Sequence, residues 1–448
     1  LYATLHQSVF RFLVDLVLLC KCGSAPSEAK ASPVAHADSG QDFYTVKYDT
    51  NGNTLWDQRY DNGSSDRPAD IVVDSAGNAY VTGYSWSSNA DYLTIKYDPD
   101  GNVVWTRRYA SANGHDEPLA LAVDANGNVY VTGDTEGNFV NYDYYTIKYN
   151  SNGDVAWERR YDDENHSSDF ATGIAVDPLG NVYVTGLSYT GSAWEYCTMK
   201  YDPDGQLLWQ QFIYSGSDET LPHMALDSGA NIHIAGNSSQ DFLTVKYDSD
   251  GNLLWQQTYD GGLDDLTTGI QTDSAGNSYV TGYSAGAGTG FDFYTIKYDA
   301  NGEMVWQQRY NNDSANLDDW AQAIAVDNNG NAYVTGAVSD PNLNQSFYTI
   351  RYDANGGVGW QDQLTIPGYT DDFACCIALD SDGNVIVSGN SLGFLTAKSD
   401  AAGNVLWKRL DNSSASGQFD LIRNMKVDPA GNIYLTGLTY EIATRSEE

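Results

Sequence analysis

The residues with most chemistry to offer fall into three sets. The first is a series of acids: Asp66, Asp116, Asp169, Glu219, Asp265, Asp319, Asp372 and Asp420. Each stands eight residues before another Asp (Asp74, Asp124, Asp177, Asp227, Asp273, Asp327, Asp380, Asp428). Carboxylates that recur in a ring could hold a metal ion, calcium foremost, or draw in a cationic ligand. They could equally accept backbone N–H bonds and tie loops down. The second set is His115, His166 and His223, the residue type best suited to metal ligation or proton transfer at neutral pH. Their offsets from the following Asp differ (nine, eleven and four residues), which argues against one shared role. The third set is aromatic: Trp86, Trp194 and Trp320, with Tyr142, Tyr144, Tyr189 and Phe291 nearby in sequence. Aromatic rings over a polar rim suit stacking on a sugar or docking of a peptide, and they suit local packing as well.

The elements that must position these residues are short strands. Asp42–Tyr60, DFYTVKYDTNGNTLWDQRY, reads as strand, Asp-x-x-Gly turn, strand; Ala69–Gly83, ADIVVDSAGNAYVTG, reads the same way. The pair then recurs. One Trp series runs Trp56, Trp105, Trp157, Trp209, Trp255, Trp306, Trp360, Trp407, and one Gly series runs Gly83, Gly133, Gly186, Gly236, Gly282, Gly336, Gly389, Gly437. Both have eight members. Four short strands in each period of about 50 residues mark a propeller blade. The apolar, small-residue strand typified by GIAVD is expected innermost, NVYVTG second, YTIKYD third and the Trp strand outermost. The chain then starts with the outer half of a blade and ends, at Leu421–Gly437, with an inner half. The fold expected is all-β: an eight-bladed propeller of four-stranded antiparallel blades, closed by a split blade, with seven blades as the alternative.

Bulk composition agrees. The 43 Gly and only 11 Pro suit many tight turns, and 33 Tyr, 13 Phe and 11 Trp are ample for a core. The formal charge of −37 comes from 60 acids, of which 49 are Asp and 11 Glu. Most of those Asp lie in Asp-x-x-Gly turns, so the acidity is largely turn chemistry. Its field still repels phosphate backbones and excludes nucleic acid as a partner. Asp-x-Asp-Gly turns at Asp98–Gly101, Asp202–Gly205, Asp248–Gly251 and Asp380–Gly383 superficially suggest calcium, but they run straight into strands without the long loop and terminal Glu of an EF-hand. The cysteines (Cys20, Cys22, Cys197, Cys375, Cys376) show no zinc spacing, and vicinal Cys375–Cys376 reads as two small buried residues. Phosphate loops, nucleophile elbows and HExxH are absent.

Residues 1–40 form a separate region, with the apolar run Phe10–Cys20 and a flexible spacer holding Ala35-His36-Ala37; residues 41–440 are the propeller and 441–448 a tail. The first region resembles a secretory leader, so a secreted or cell-envelope location is expected.

The string GIAVDxxGNVYVTG followed by YTIKYDxxGNxxW resembles the SBBP-type β-propeller repeat of bacterial and archaeal envelope or secreted proteins, over about residues 42–440. That resemblance implies a scaffold and a location rather than a reaction, and its name implies seven blades where the count here is eight. YDxxGNxxW also resembles, more loosely, the tryptophan-docking repeat of eight-bladed quinoprotein dehydrogenases, with an Asp-to-Gly step one residue shorter. Only the packing of a Trp between blades is carried over.

Function is expected where the repeat breaks. The Asp-x-x-Gly turns define one uniform face, whereas Asp134–Asp143, Leu187–Tyr196, Ser284–Phe293 and Ala337–Phe347 vary in length on the other. The expected function is a monomeric, non-catalytic scaffold that binds an extracellular glycan or protein there through Trp86, Tyr142, Trp194, Trp320, His115, His166 and His223. No cofactor is expected beyond calcium at the acidic series, and the propeller carries no transmembrane segment. The alternative is an enzyme on the same face, a quinoprotein-like oxidoreductase or a polysaccharide lyase or hydrolase.

Overall fold

Why the strands stop where they do is set by one local device. In Asp98-Pro-Asp-Gly-Asn102, Asp98 Oδ1 accepts the amides of Asp100 (3.0 Å) and Asn102 (2.8 Å), and Asn102 Nδ2 donates to Oδ2 (2.9 Å). Gly101 closes the turn at φ +86°, a left-handed conformation that glycine adopts without a Cβ clash. The same device recurs along the chain. In the drifted copy at Asp227 the glycine is displaced, and Ala230 takes the left-handed place at φ 58°.

The computed structural model describes residues 40–112, 114–137, 141–216, 220–286, 288–312, 317–365, 372–391, 393–411 and 420–440. The leader-like segment, with Cys20 and Cys22, lies outside them, as does Glu219. Among the described residues, 32 strands form eight four-stranded antiparallel sheets. Seven are consecutive in sequence. The eighth combines the outer strand Thr54–Tyr60 and third strand Gln41–Tyr48 with the second strand Ile433–Tyr440 and inner strand Leu421–Val427. Val46 faces Leu435 and Tyr48 faces Ile433 across the seam. The inner strands touch one another in sequence around the ring, and the last, Leu421–Val427, touches Asp66–Val73 of the first complete blade. Eight blades, not seven, close the circle. The expected strand order within each blade holds.

The core lies between blades. Val81, Ile95 and Tyr97 of the first complete blade pack on Phe43, Trp56 and Tyr434 of the split blade. Each repeated Trp sits at such a seam and points its indole N–H at the outer turn of the next blade: Trp56 Nε1 to Pro99 O (3.0 Å), Trp306 to Ala354 O (3.2 Å), Trp407 to Thr50 O (3.0 Å), and likewise for the other five. The turn glycine lets the backbone lie on the ring. A Cβ on Gly101 would stand 2.7 Å from Trp56. Trp burial, at about 25 cal/mol per Å², is thus spent on holding blade to blade.

Candidate functional site

Because both Asp turns of every blade lie on one face, the second-to-third and outer-to-inner connections must lie on the opposite one. The described members of all three predicted sets fall there.

Asp66, Asp116, Asp169 and Asp265 begin an inner strand, and Asp319, Asp372 and Asp420 immediately precede one. Asp66, Asp116, Asp169, Asp265, Asp319, Asp372 and Asp420 are all buried. Their carboxylates turn into the protein and hold the incoming loop. Asp66 Oδ2 accepts from Asn62 N (2.9 Å), Asp116 from Ser111 N (2.6 Å), Asp169 from Asp163 N (3.0 Å), Asp265 from Gly261 N (2.6 Å) and Asp319 from Asn312 N (2.7 Å). Burial raises these acids: Asp66 and Asp319 to about 6, Asp169 to about 8, with neighbouring carboxylates adding to the effect against the hydrogen bonds that lower it.

A second acid stands close by at the start of several third strands. Asp42, Asp91, Asp143 and Asp292 each meet an arginine of the outer strand: Arg59 (2.6 Å), Arg108 (2.7 Å), Arg160 (2.5 Å) and Arg309 (2.7 Å). In three blades a third acid joins. Asp42, Asp61 and Asp66, then Asp143, Asp162 and Asp169, then Asp241, Asp260 and Asp265, bring one carboxylate oxygen each within 4.8 Å of one another. In the last of these blades Thr258 stands where the arginine does elsewhere. Oxygen-only groups of this kind can hold calcium or stay uncharged by keeping a proton. Sequence reasoning found one acid of each trio from its spacing; of the other two, one lies in a third strand and one in the loop just past the outer strand, and they meet only in the fold.

The aromatic set divides in two. Trp86, half-buried, lies against His115 with ring centroids 5.1 Å apart, bridging two neighbouring blades. In the next pair of blades Tyr142 packs on Phe170 (5.6 Å), Phe170 on Trp194 (6.1 Å) and Trp194 on Tyr189 (4.9 Å). Trp194 is buried in this row, so its ring is not open for stacking; Tyr142 and Tyr189 are half-buried. Trp320 is half-buried and opens a different inner strand, Trp320–Val326.

The histidines do not share a site. His166 is exposed and pairs with Asp162 (Nδ1 to Oδ2, 2.8 Å). His223 is half-buried at the start of the short inner strand His223–Leu226. Among the described residues no histidine joins a group with metal-ligand spacing. His233, which sequence reasoning passed over, is fully buried between Asp227 (3.2 Å) and Ser278 (2.6 Å) and belongs to the scaffold.

Two further aromatics were missed. The outer strand Leu207–Gly216 has ten residues where the other blades have seven, and it leaves Phe212 and Tyr214 exposed, Tyr214 by 60%. Tyr214 pairs with Glu195, beside Trp194, at the loop-face end of the blade. Phe212 occupies the place of the arginines Arg59 and Arg108. The lengthened string WQQFIYSG, against WQQTYDG in the following blade, was the available signal.

Comparison with known proteins adds a repeat matched in four segments and little on chemistry. No match is found among curated proteins. Among solved structures, Sqt1 from Chaetomium thermophilum is similar over 86% of this chain and 97% of its own, at 9% identity and a TM-score of 0.55. A protein of unknown function from Bacteroides caccae is similar over 61% of this chain and 94% of its own, at 15% identity and a TM-score of 0.36. The β-propeller domain of the Trilobed protease from Pyrococcus furiosus is similar over 74% and 98%, at 8% identity and a TM-score of 0.43. At these identities the likeness is one of fold alone. The model of the SBBP β-propeller repeat matches four segments, residues 61–89, 104–139, 164–191 and 311–337, and the ring these segments belong to has eight blades.

Proposed function

We propose that this chain is a non-catalytic scaffold, secreted or held in the cell envelope, whose variable-loop face binds an extracellular ligand, a glycan or a protein. The observation that carries the reading is a set of partly open rings across three neighbouring blades: Trp86 on His115, then Tyr142 and Tyr189 backed by the buried Phe170 and Trp194, with Tyr214 exposed beside them. These rings belong to positions the repeat does not demand. Partly open aromatic edges on a rigid frame offer stacking surface at small entropic cost. The acids nearby supply hydrogen-bond acceptors for hydroxyls or a basic side chain, and calcium at the three acid trios would add a ligand for sugar oxygens.

A glycan array run with calcium and with chelator tests the reading. Binding by the wild-type chain that falls at least tenfold in a W86A/Y214A double variant supports it. Absence of any retained glycan in both arms removes the carbohydrate form of the proposal.

A further inference from the structure

Along a regular strand consecutive side chains point to opposite faces, so two adjacent cysteines cannot meet. The inner strand Phe373–Leu379 is not regular. Ala374 pairs with Gly389 and Cys376 with Ser388, which leaves Cys375 as the extra residue of a β-bulge. The bulge turns Cys375 toward its neighbour, and the two Sγ atoms stand 3.4 Å apart. Both are thiols. The same irregularity recurs in other inner strands, between Ala171 and Gly173, Thr267 and Gly269, and Ile422 and Asn424. Where the bulged residue is threonine, its hydroxyl donates to the inner strand or approach of the next blade: Thr172 Oγ1 to Pro222 O (3.2 Å) and Thr268 Oγ1 to Ala321 O (3.0 Å). Cys375 stands in that place against the split blade, with Sγ 4.0 Å from Ile422 O and 3.7 Å from Ser388 O. A thiol is a poor donor there. What the exchange of oxygen for sulfur adds is a second sulfur within reach.

We propose that Cys375 and Cys376 form a vicinal dithiol that is reversibly oxidised to a disulfide by low-mass disulfides, at the seam where the last complete blade meets the split blade. Cys375 is half-buried and Cys376 buried, which sets the order of events. The Cys375 thiolate attacks the disulfide RSSR and expels one RS⁻, giving Cys375–S–SR. The Cys376 thiolate then attacks the Cys375 sulfur and expels the second RS⁻. Two thiols have lost two protons and two electrons, and RSSR has become two RSH. Adjacent Cα atoms lie about 3.8 Å apart, short of the usual span of about 4.4–6.8 Å for a disulfide. The bond is therefore strained and labile, a reversible device rather than a staple. Its formation draws Cys375 Sγ away from the Ile422 carbonyl, on the inner strand of the blade that closes the ring.

The test uses the folded, full chain in mixtures of glutathione and glutathione disulfide, followed by alkylation and peptide mass mapping. The expected result is that Cys375 and Cys376 lose alkylation together, their peptide becomes lighter by two hydrogens, and dithiothreitol restores both. In C376S the reaction should stop at a stable glutathione adduct on Cys375. In C375T, a residue two other blades carry at the bulge, neither position should react. The proposal is overturned if the wild-type chain halts at the same single adduct as C376S, or if both thiols stay fully alkylatable while the urea-unfolded chain oxidises.

Discussion

The two faces of the ring use the same residue, aspartate, to opposite electrostatic ends. On the turn face Asp98, open to water, receives two amides and an asparagine, and those hydrogen bonds hold its carboxyl below the usual range. On the loop face Asp169 receives one amide, is cut off from water and lies near Asp143 and Asp163; burial pushes it up to about 8. A turn acid steadies a tight hairpin. A loop-face acid is bound at a cost and stays tolerable by keeping a proton or meeting an arginine. The lesson is that charge counted from composition is not charge in the fold: burial pushes the Asp169 carboxyl up to about 8, whereas the hydrogen bonds of the turn hold Asp98 down.

The contrast can be broken at several points. The largest effect is expected at the interblade clasp of the turn face. W306A loses the bond to Ala354 O and contacts with Tyr279 and Tyr352, and should cost about 3–5 kcal/mol in urea unfolding. W86A, half-buried on the loop face, should cost less than half as much, and equal losses would end the distinction between frame and decoration. Next is G101A, which places a Cβ against the Trp56 ring in a left-handed backbone; about 1–3 kcal/mol is expected. A smaller effect concerns pH. Asp66, Asp319 and Asp169 have folded values above their ordinary one, so the folded state holds protons that the unfolded chain has released. Their contribution is most favourable below about pH 4 and is lost as pH rises through about 6 for Asp66 and Asp319 and about 8 for Asp169. Turn acids such as Asp98 run the other way and lose their contribution only as pH falls through their lowered values. The melting temperature should therefore rise as pH drops from 8.5 toward about 5, and D169N should flatten that slope by an amount on the order of 1 kcal/mol. A melting curve unchanged by D169N at every pH would refute the buried-proton account. The smallest effect belongs to Tyr214: Y214A should alter stability by no more than about 0.5 kcal/mol while weakening ligand binding.

Much of the ring could be read in advance because its determinants are local. Asp-x-x-Gly turns, the spacing of Trp56 through Trp407 and the phase that leaves Leu421–Gly437 needing Asp42–Tyr60 all lie within short windows of sequence. The site was legible only in part. Trp194 stands outside the repeated Trp series and so reads as a loop aromatic, yet Phe170 and Tyr189 enclose it. Asp61, Asp162 and Asp260 each stand five residues after a repeated Trp, just past the outer strand, but that spacing says nothing of the partners they meet across the seam. Tyr214 went unnoticed because a lengthened outer strand looks like ordinary drift.

Cys375 and Cys376 show where the division falls. Sequence alone determined the turns, the four-strand period and the recurrence of an acid eight residues before the turn Asp, because each follows from a pattern that repeats within one blade; the ring of eight, rather than seven, was settled by the strand pairing. Tertiary structure alone decided which carboxylates lose their water, which rings stay open and which sulfurs meet. Those outcomes depend on a bulge in one strand and on what the next blade presents across the seam, and neither is written in any window of sequence shorter than the ring.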